Sequence, residues 1–283
     1  MNIIFFYLGG EPNSIIMKKK LLKLKENKIF TNSNLPVLKN NKILIIKHFN
    51  QEMIENIKNL KKNKNIIIYE PIDYKWNLQN MDEYINYMNI FKYVDKIILP
   101  SKYCKKLMST YINNSKLYYN YHEFDERFKL NTTKRDDNIY YIGDDNKSSL
   151  TKFHFKKYNL IHIKSSKNYN LLKNTYYPSI HIDYLLKKNI YYYFHTSTKL
   201  ATALHFKSIF ICNRIPIYEE LLSKDYELFF KDDLSDINLV INKAKDIINN
   251  DIKYNEYLYK IKNVLDEFIP SQIYNKYNNI INE

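Results

Sequence analysis

The sequence predicts an α/β fold: two halves, each built on a parallel sheet, followed by a helical tail. Three observations predict it. Short apolar runs alternate with amphipathic helical segments over residues 2–119. The same alternation restarts after a polar stretch at 125–137. The runs are apolar on both faces, as strands are when helices cover a sheet on both sides. A chain of 283 residues accommodates two domains of modest size.

The elements follow in order. Residues 2–8 are a strand closed by Gly9-Gly10, and 16–25 are helical. Residues 42–47 (KILIIK) form a second strand. Residues 51–62 carry apolar side chains at Met53, Ile54, Ile57 and Leu60, the stripe of an amphipathic helix. Residues 65–69 (NIIIY) are a third strand ending at Glu70-Pro71, 81–93 a helix, and 96–99 (KIIL) a fourth strand. Ser101 is a plausible N-cap for a helix over 102–111, and 116–119 are a fifth strand.

In the second half, strands are predicted at 138–142, 160–163, 179–184, 208–212 and 227–230. Residues 190–194 suit either a strand or a loop. Helices are predicted at 197–206, 217–223, 236–249 and 254–268, and a last one at 271–281 after Pro270. The expected organisation is therefore 1–130, 131–253 and a helical tail over 254–283 that folds back on the first domain. Two facing Rossmann-like domains of this kind bind ligands at the carboxyl ends of their strands, here in an interdomain cleft.

Composition narrows the function. Hydrophobic residues make up 45% and charged residues 26%, enough for a packed core and too apolar for wholesale disorder. No apolar run is long enough to span a membrane, and the start reads as lacking a signal peptide. Cys104 and Cys212 lie too far apart in sequence to suggest a disulfide framework, which fits a reducing cytoplasm. Net charge is +14, almost all of it lysine; the arginines are Arg127, Arg135 and Arg214. Lysine suits phosphates, so the charge fits a nucleotide, a lipid phosphate, an anionic membrane surface or a nucleic-acid backbone. Scarce arginine argues against specific base readout. The inflated Asn, Lys, Ile and Tyr content equally fits an AT-rich coding sequence.

The informative residues should follow strands. Gly9 and Gly10 let backbone approach a ligand, or simply form a tight turn. Gly143 ends the first strand of the second half, ahead of Asp144, Asp145 and Lys147; no GxGxxG is present. His48, Glu70 and Asp73 follow the second and third strands and are candidates to take a proton from an acceptor hydroxyl. The segment 195–222 (HTSTKLATALHFKSIFICNRIPIYEELL) is the richest. Ser197 or Thr198 starts a helix whose first turn offers free N–H groups to an anion. Lys199 opposes the helix dipole there, which suggests a bound anion; snorkelling to solvent is the plain alternative.

This segment resembles the GT-B glycosyltransferases of the group-1/family-4-like type. Their second domain carries S/P-x-K-x-x-(E/N)-A-(L/M)-x-x-G-x-P, then a buried strand, then a P-x-x-x-E-L helix, and STKLATALHFKSIFICNRIPIYEELL keeps that order. The stretches KILIIKHFNQEMIENIKNLKKNKNIIIYEPIDYKW, VDKIILPSKYCKKLM and YHEFDERF are similar to successive family segments of the first half. The resemblance covers most of 40–125 and 138–240. It implies a nucleotide-sugar donor on the second domain and a glycan or lipid-linked acceptor approached from the first. Lys199, Ser197, Thr198 and the helix start would hold the donor diphosphate, Lys147 would add a second phosphate contact, and Gly9, Gly10 and Gly143 would shape the donor loops. Glu219 or Glu220 falls in the acidic helix. Thr202 stands where the family often has a ribose-binding Glu. Lys207 and Ile209 replace the usual Gly and Pro, so the turn there is expected to differ.

The sequence is thus expected to encode a metal-independent sugar transferase. It needs no cofactor beyond its donor and is cytoplasmic, with peripheral contact to an anionic membrane. A degenerate GT-B protein that binds a glycan, nucleotide or partner without turnover is the first rival. A lysine-driven nucleic-acid binder, marked by steep salt dependence, is the second.

Overall fold

In the computed structural model the first sheet contains β1 (Ile3–Phe6), β2 (Lys42–Ile46), β3 (Ile66–Glu70), β4 (Lys96–Leu99) and β5 (Leu117–Tyr119). The strands lie in that order and all pair in parallel. The structure describes residues 3–6, 38–46, 52–71, 89–122, 124, 134–143, 149–164, 178–186 and 192–283. The helix expected at 16–25 and most of that at 81–93 lie outside them; residues 89–92 form a 3₁₀ turn.

A parallel sheet wound steadily in one direction carries its crossover helices on one face. Helices α1 (Glu52–Lys62) and α2 (Lys102–Met108) do share a face. There Ile57, Leu60, Cys104 and Met108 pack with Ile43, Ile45, Ile67, Tyr69, Ile97 and Leu99. Alternate side chains of the same strands, Leu44, Ile46, Ile68 and Ile98, point the other way. The C-terminal helix, which we number α8 (Pro270–Asn282), covers them with Tyr277, Ile280 and Ile281. Each such side chain contributes about 1.5–3 kcal/mol by leaving water.

The second sheet holds β6 (Ile139–Gly143), β7 (Leu160–Lys164), β8 (Ile180–Asp183), β9 (Ile209–Asn213) and β10 (Phe229–Phe230). Its order is β10-β9-β8-β6-β7, again all parallel. The chain steps from β6 outward to β7, then returns to the other side of β6 for β8. The winding reverses between β6 and β8, and ligands of such sheets bind at the carboxyl ends of strands at that reversal. Helix α3 (Lys152–Lys157) lies between β6 and β7 in sequence, and α4 (Thr198–His205) between β8 and β9. Tyr141 meets Phe155 of α3, whereas its strand neighbours Tyr140 and Ile142 pack against Phe206 at the end of α4. Helices α5 (Pro216–Leu222), α6 (Ile237–Asn249) and α7 (Asp251–Asp266) complete the unit.

Contacts divide the chain into two compact units. One is Met1–Tyr121 with Lys188–Thr196 and Pro270–Glu283; the other is His122–Lys187 with Ser197–Ile269. Helix α7 therefore stays with the second sheet, while α8 belongs to the first. Helix α7 starts earlier than its apolar stripe indicates because Asn250 caps it, accepting from Ile252 N and Lys253 N. Residues 192–194 form a turn rather than a strand, and Phe194 is buried in the first unit's core. Helix α3 has no apolar stripe to reveal it in the sequence; Thr151 N donates to His154 Nδ1 at 3.0 Å at its start.

At the turn where Lys207 replaces the usual Gly, the backbone takes a conformation that glycine favours. Lys207 has φ 56°, the left-handed conformation that glycine usually supplies after a helix. Lys207 N donates to Leu204 O at 2.9 Å and Ser208 N to Ala203 O at 2.9 Å, the paired bonds of a Schellman cap. Lys64 (φ 58°) ends α1 with the same two bonds, to Lys61 O and from Asn65 N to Leu60 O. With only three glycines in the chain, lysine takes their place at these two helix-to-strand turns.

Candidate functional site

The site grows from the ends of β6 and β8. Asp183 is the last residue of β8 and is 2% exposed. A carboxylate so buried needs charged or hydrogen-bonding partners. Lys199, in the first turn of α4, donates its Nζ to Asp183 Oδ1 at 2.6 Å. Tyr218, from α5, donates its hydroxyl to Asp183 Oδ2 at 2.5 Å. Tyr141, from β6, accepts from Lys199 Nζ at 3.1 Å, with its ring centroid 4.3 Å from that ammonium. Gly143 closes β6 beside this phenol. A Cβ there would lie 2.9 Å from Tyr141 Oη, so the glycine keeps the space that the hydroxyl occupies.

Charge is stored at this point. Burial works against the Lys199 ammonium, but the Asp183 carboxylate and the Tyr141 hydroxyl outweigh it and raise the lysine above its ordinary value. The side chain nevertheless stays 25% exposed. An ammonium has three N–H donors, and the contacts to Asp183 and Tyr141 take two of them. His181, also in β8, is pushed down to about 3 by burial and is neutral around pH 7.

The other expected donor residues divide sharply. Ser197 is fully buried; its Oγ accepts from His122 N at 2.9 Å and donates to His122 O at 3.1 Å. Its hydroxyl therefore fastens the chain and does not cap α4. Thr202 Oγ1 donates to Thr198 O at 2.6 Å, within the helix. Thr198 is half-buried at the helix start. Glu219 follows Tyr218 on α5 and pairs with Arg214 at 3.5 Å. Gly143 and Lys199 are thus brought together through Tyr141. Gly9, Gly10, His48, Asp73 and Lys147 lie outside the described residues.

Glu70, expected to face an acceptor, is turned inward. It is 1% exposed and its carboxylate receives the hydroxyl of Tyr277 from α8. The sequence reading missed Asp183, Tyr141 and Tyr218. Asp183 had a signal, a carboxylate ending an apolar strand. The tyrosines had none among the 28 in the chain. Among the described residues, no group of three or more His, Cys, Asp or Glu is arranged to hold a metal ion, and no helix is long and apolar enough to cross a membrane.

No protein-family model and no curated protein sequence matches this chain. Solved structures do. A glycosyltransferase from Rickettsia africae superposes with a TM-score of 0.65 at 10% identity, over 99% of this chain and 97% of that one. HepE of Anabaena, in complex with UDP-glucose, gives 0.61 at 9% identity over 100% and 99%. TarM of S. aureus, in a complex that includes UDP, gives 0.52 at 10% identity over 85% of this chain, which spans 55% of TarM's length. The fold is that of the GT-B glycosyltransferases, with parallel α/β sheets and a C-terminal helix.

Proposed function

We propose that the protein is a glycosyltransferase that moves a sugar from a nucleoside diphosphate to a hydroxyl of a glycan or lipid-linked acceptor without a metal. The observation that carries this reading is the Lys199 ammonium held at the β6/β8 reversal of the second sheet, in the first turn of α4, on a side chain that keeps a quarter of its surface exposed. In the transfer, the bond between the sugar's anomeric carbon and the diphosphate oxygen breaks, and the diphosphate leaves with the electron pair. The acceptor oxygen bonds to that carbon and gives up its proton. Lys199 and the N–H groups opening α4 stabilise the charge growing on the diphosphate. Gly143 ends β6 and Lys147 follows it in sequence, and both are assigned to the donor, as are Gly9 and Gly10, which follow β1 in sequence. His48 or Asp73 is the acceptor-side base, a role worth about 10²–10⁴ in rate; Glu70 is engaged by Tyr277.

UDP is the first nucleotude to test, because the HepE and TarM structures hold it or its sugar. Titration of UDP and UDP-glucose by calorimetry, beside Lys199→Ala, tests the reading. Equal affinity in the variant removes the phosphate role. One observation favours a second reading, binding without turnover: Thr202 is spent on the Thr198 carbonyl, so no carboxylate stands ready for the ribose there. Donor binding without hydrolysis or transfer, across a panel of acceptors, selects it.

A further inference from the structure

We propose that Asp183, Tyr141 and Tyr218 are positioning residues that aim the Lys199 ammonium at the diphosphate of a donor, so that the site discriminates a nucleoside diphosphate from its nucleoside. This rests on the donor-binding reading above. The four side chains come from β8, β6, α5 and α4 and meet at one strand edge.

The argument begins with burial. Asp183 is 2% exposed and is bonded through both oxygens, to Lys199 at 2.6 Å and to Tyr218 at 2.5 Å. Releasing Lys199 toward a ligand would leave that carboxylate buried without its cation, a strongly unfavourable state. The ion pair therefore persists when an anion arrives. Lys199 meets the anion with its remaining N–H; its side chain keeps a quarter of its surface exposed. Two fixed partners, the carboxylate and the Tyr141 hydroxyl, determine where that N–H points. Without them a lysine has a flexible four-carbon stem and no preferred aim. Tyr218 in turn fixes the carboxylate, and Gly143 leaves room for the Tyr141 hydroxyl. A long flexible cation becomes a directed donor at no further ordering cost on binding.

The test uses the full chain and isothermal calorimetry with UDP, ADP, GDP and inorganic pyrophosphate. The best-bound nucleotide is then compared with its own nucleoside. Asp183→Asn is expected to weaken the diphosphate by about tenfold or more, the loss of one aligned charge-assisted hydrogen bond, and the nucleoside far less. Tyr218→Phe and Tyr141→Phe should shift the same ratio in the same direction by smaller factors. Both keep their rings, so they remain informative if Asp183→Asn does not fold. Among the described residues, Tyr141 from β6, Asp183 from β8, Tyr218 from α5 and Cys212 from β9, whose thiol the Asp183 carboxylate helps to raise, are titratable groups facing this ammonium or its carboxylate partner. A second readout follows from them. In Asp183→Asn the lysine loses the partner that holds its proton, so diphosphate affinity falls between about pH 7.5 and 9.5, where the unmodified protein stays level. Equal losses for diphosphate and nucleoside, or no loss in any variant, overturn the positioning role. If the unmodified protein binds none of the four probes, the donor reading itself fails and takes this inference with it. That result is read from the unmodified protein alone, so the two failures are distinct.

Discussion

Two buried carboxylates end the third described strand of each sheet, and they do different work. Glu70 closes β3 and is held by the hydroxyl of Tyr277. Asp183 closes β8 and is held by the hydroxyl of Tyr218 and by the Lys199 ammonium. The first pair ties the sheet to α8, which packs on the face opposite α1 and α2. Asn120, just after β5, does the same, donating to Ile273 O of α8 at 2.9 Å. The second pair lies where the winding reverses, and its lysine keeps contact with solvent. The Tyr277 phenol makes the first carboxylate an internal anchor. A phenol with an ammonium, on a side chain that keeps a quarter of its surface exposed, makes the second the centre of a charged cluster. The difference teaches that a carboxylate after a strand does not announce a catalytic group; its partners decide.

The comparison can be broken first at the cation. Lys199→Met leaves Asp183 buried without its counter-charge and is expected to cost roughly 3–5 kcal/mol of stability, read by chemical denaturation. The matched change in the first unit, Tyr277→Phe, removes a neutral donor and should cost only about 1–3 kcal/mol while leaving UDP affinity unchanged. Equal costs for the two would erase the distinction drawn between the pairs.

Titration sharpens it next. The folded Lys199 is raised above its ordinary value of 10.5, so the folded state holds its proton more tightly than the unfolded chain does. The stabilisation is complete below that ordinary value and is lost as the pH climbs through the folded one. Thermal melts should therefore show this contribution constant around neutrality and lost only in the alkaline range, a loss absent in Lys199→Met. His181 behaves in the opposite sense. Burial pushes it from 6.5 down to about 3, so the unfolded chain takes up its proton first. Stability should fall as the pH drops below about 6.5, and His181→Asn should flatten that acid slope.

The smallest effects come from the feature the units share. Lys64 and Lys207 both occupy left-handed turns. Lys64→Gly and Lys207→Gly should each stabilise their unit by up to about 1 kcal/mol, measured as a shift in the denaturation midpoint. A loss in either would show that its lysine side chain contributes more than its backbone strain costs.

Much of the fold is legible in the letters. KILII, IIIYE and KIIL read as buried parallel strands, and each lies within a residue or two of its predicted limits. The stripe of Ile57 and Leu60 marked the buried side of α1. Lys199 was visible as a cation out of place at a helix start, and its counter-charge was expected to be a ligand. The structure supplies Asp183 as that counter-charge, and Asp183 lies on another strand. Ser197 reads as a donor contact only by the family resemblance, and Thr202 only as the residue standing where the family often has Glu. Their actual partners are the His122 backbone and the Thr198 carbonyl.

By itself the sequence determined the alternation of strand and helix, the parallel habit of both sheets and the start of α4, because periodicity, capping and burial on both faces are local properties written over a few residues. Only the tertiary structure decided that α8 returns to the first sheet while α7 stays with the second, and that the winding of the second reverses between β6 and β8. It also decided that Asp183, Lys199, Tyr218 and Tyr141 meet at one edge. An apolar stripe states that a helix will be buried but not against which face. A side chain's partner depends on which strands become neighbours, and that follows from the packing of the whole unit.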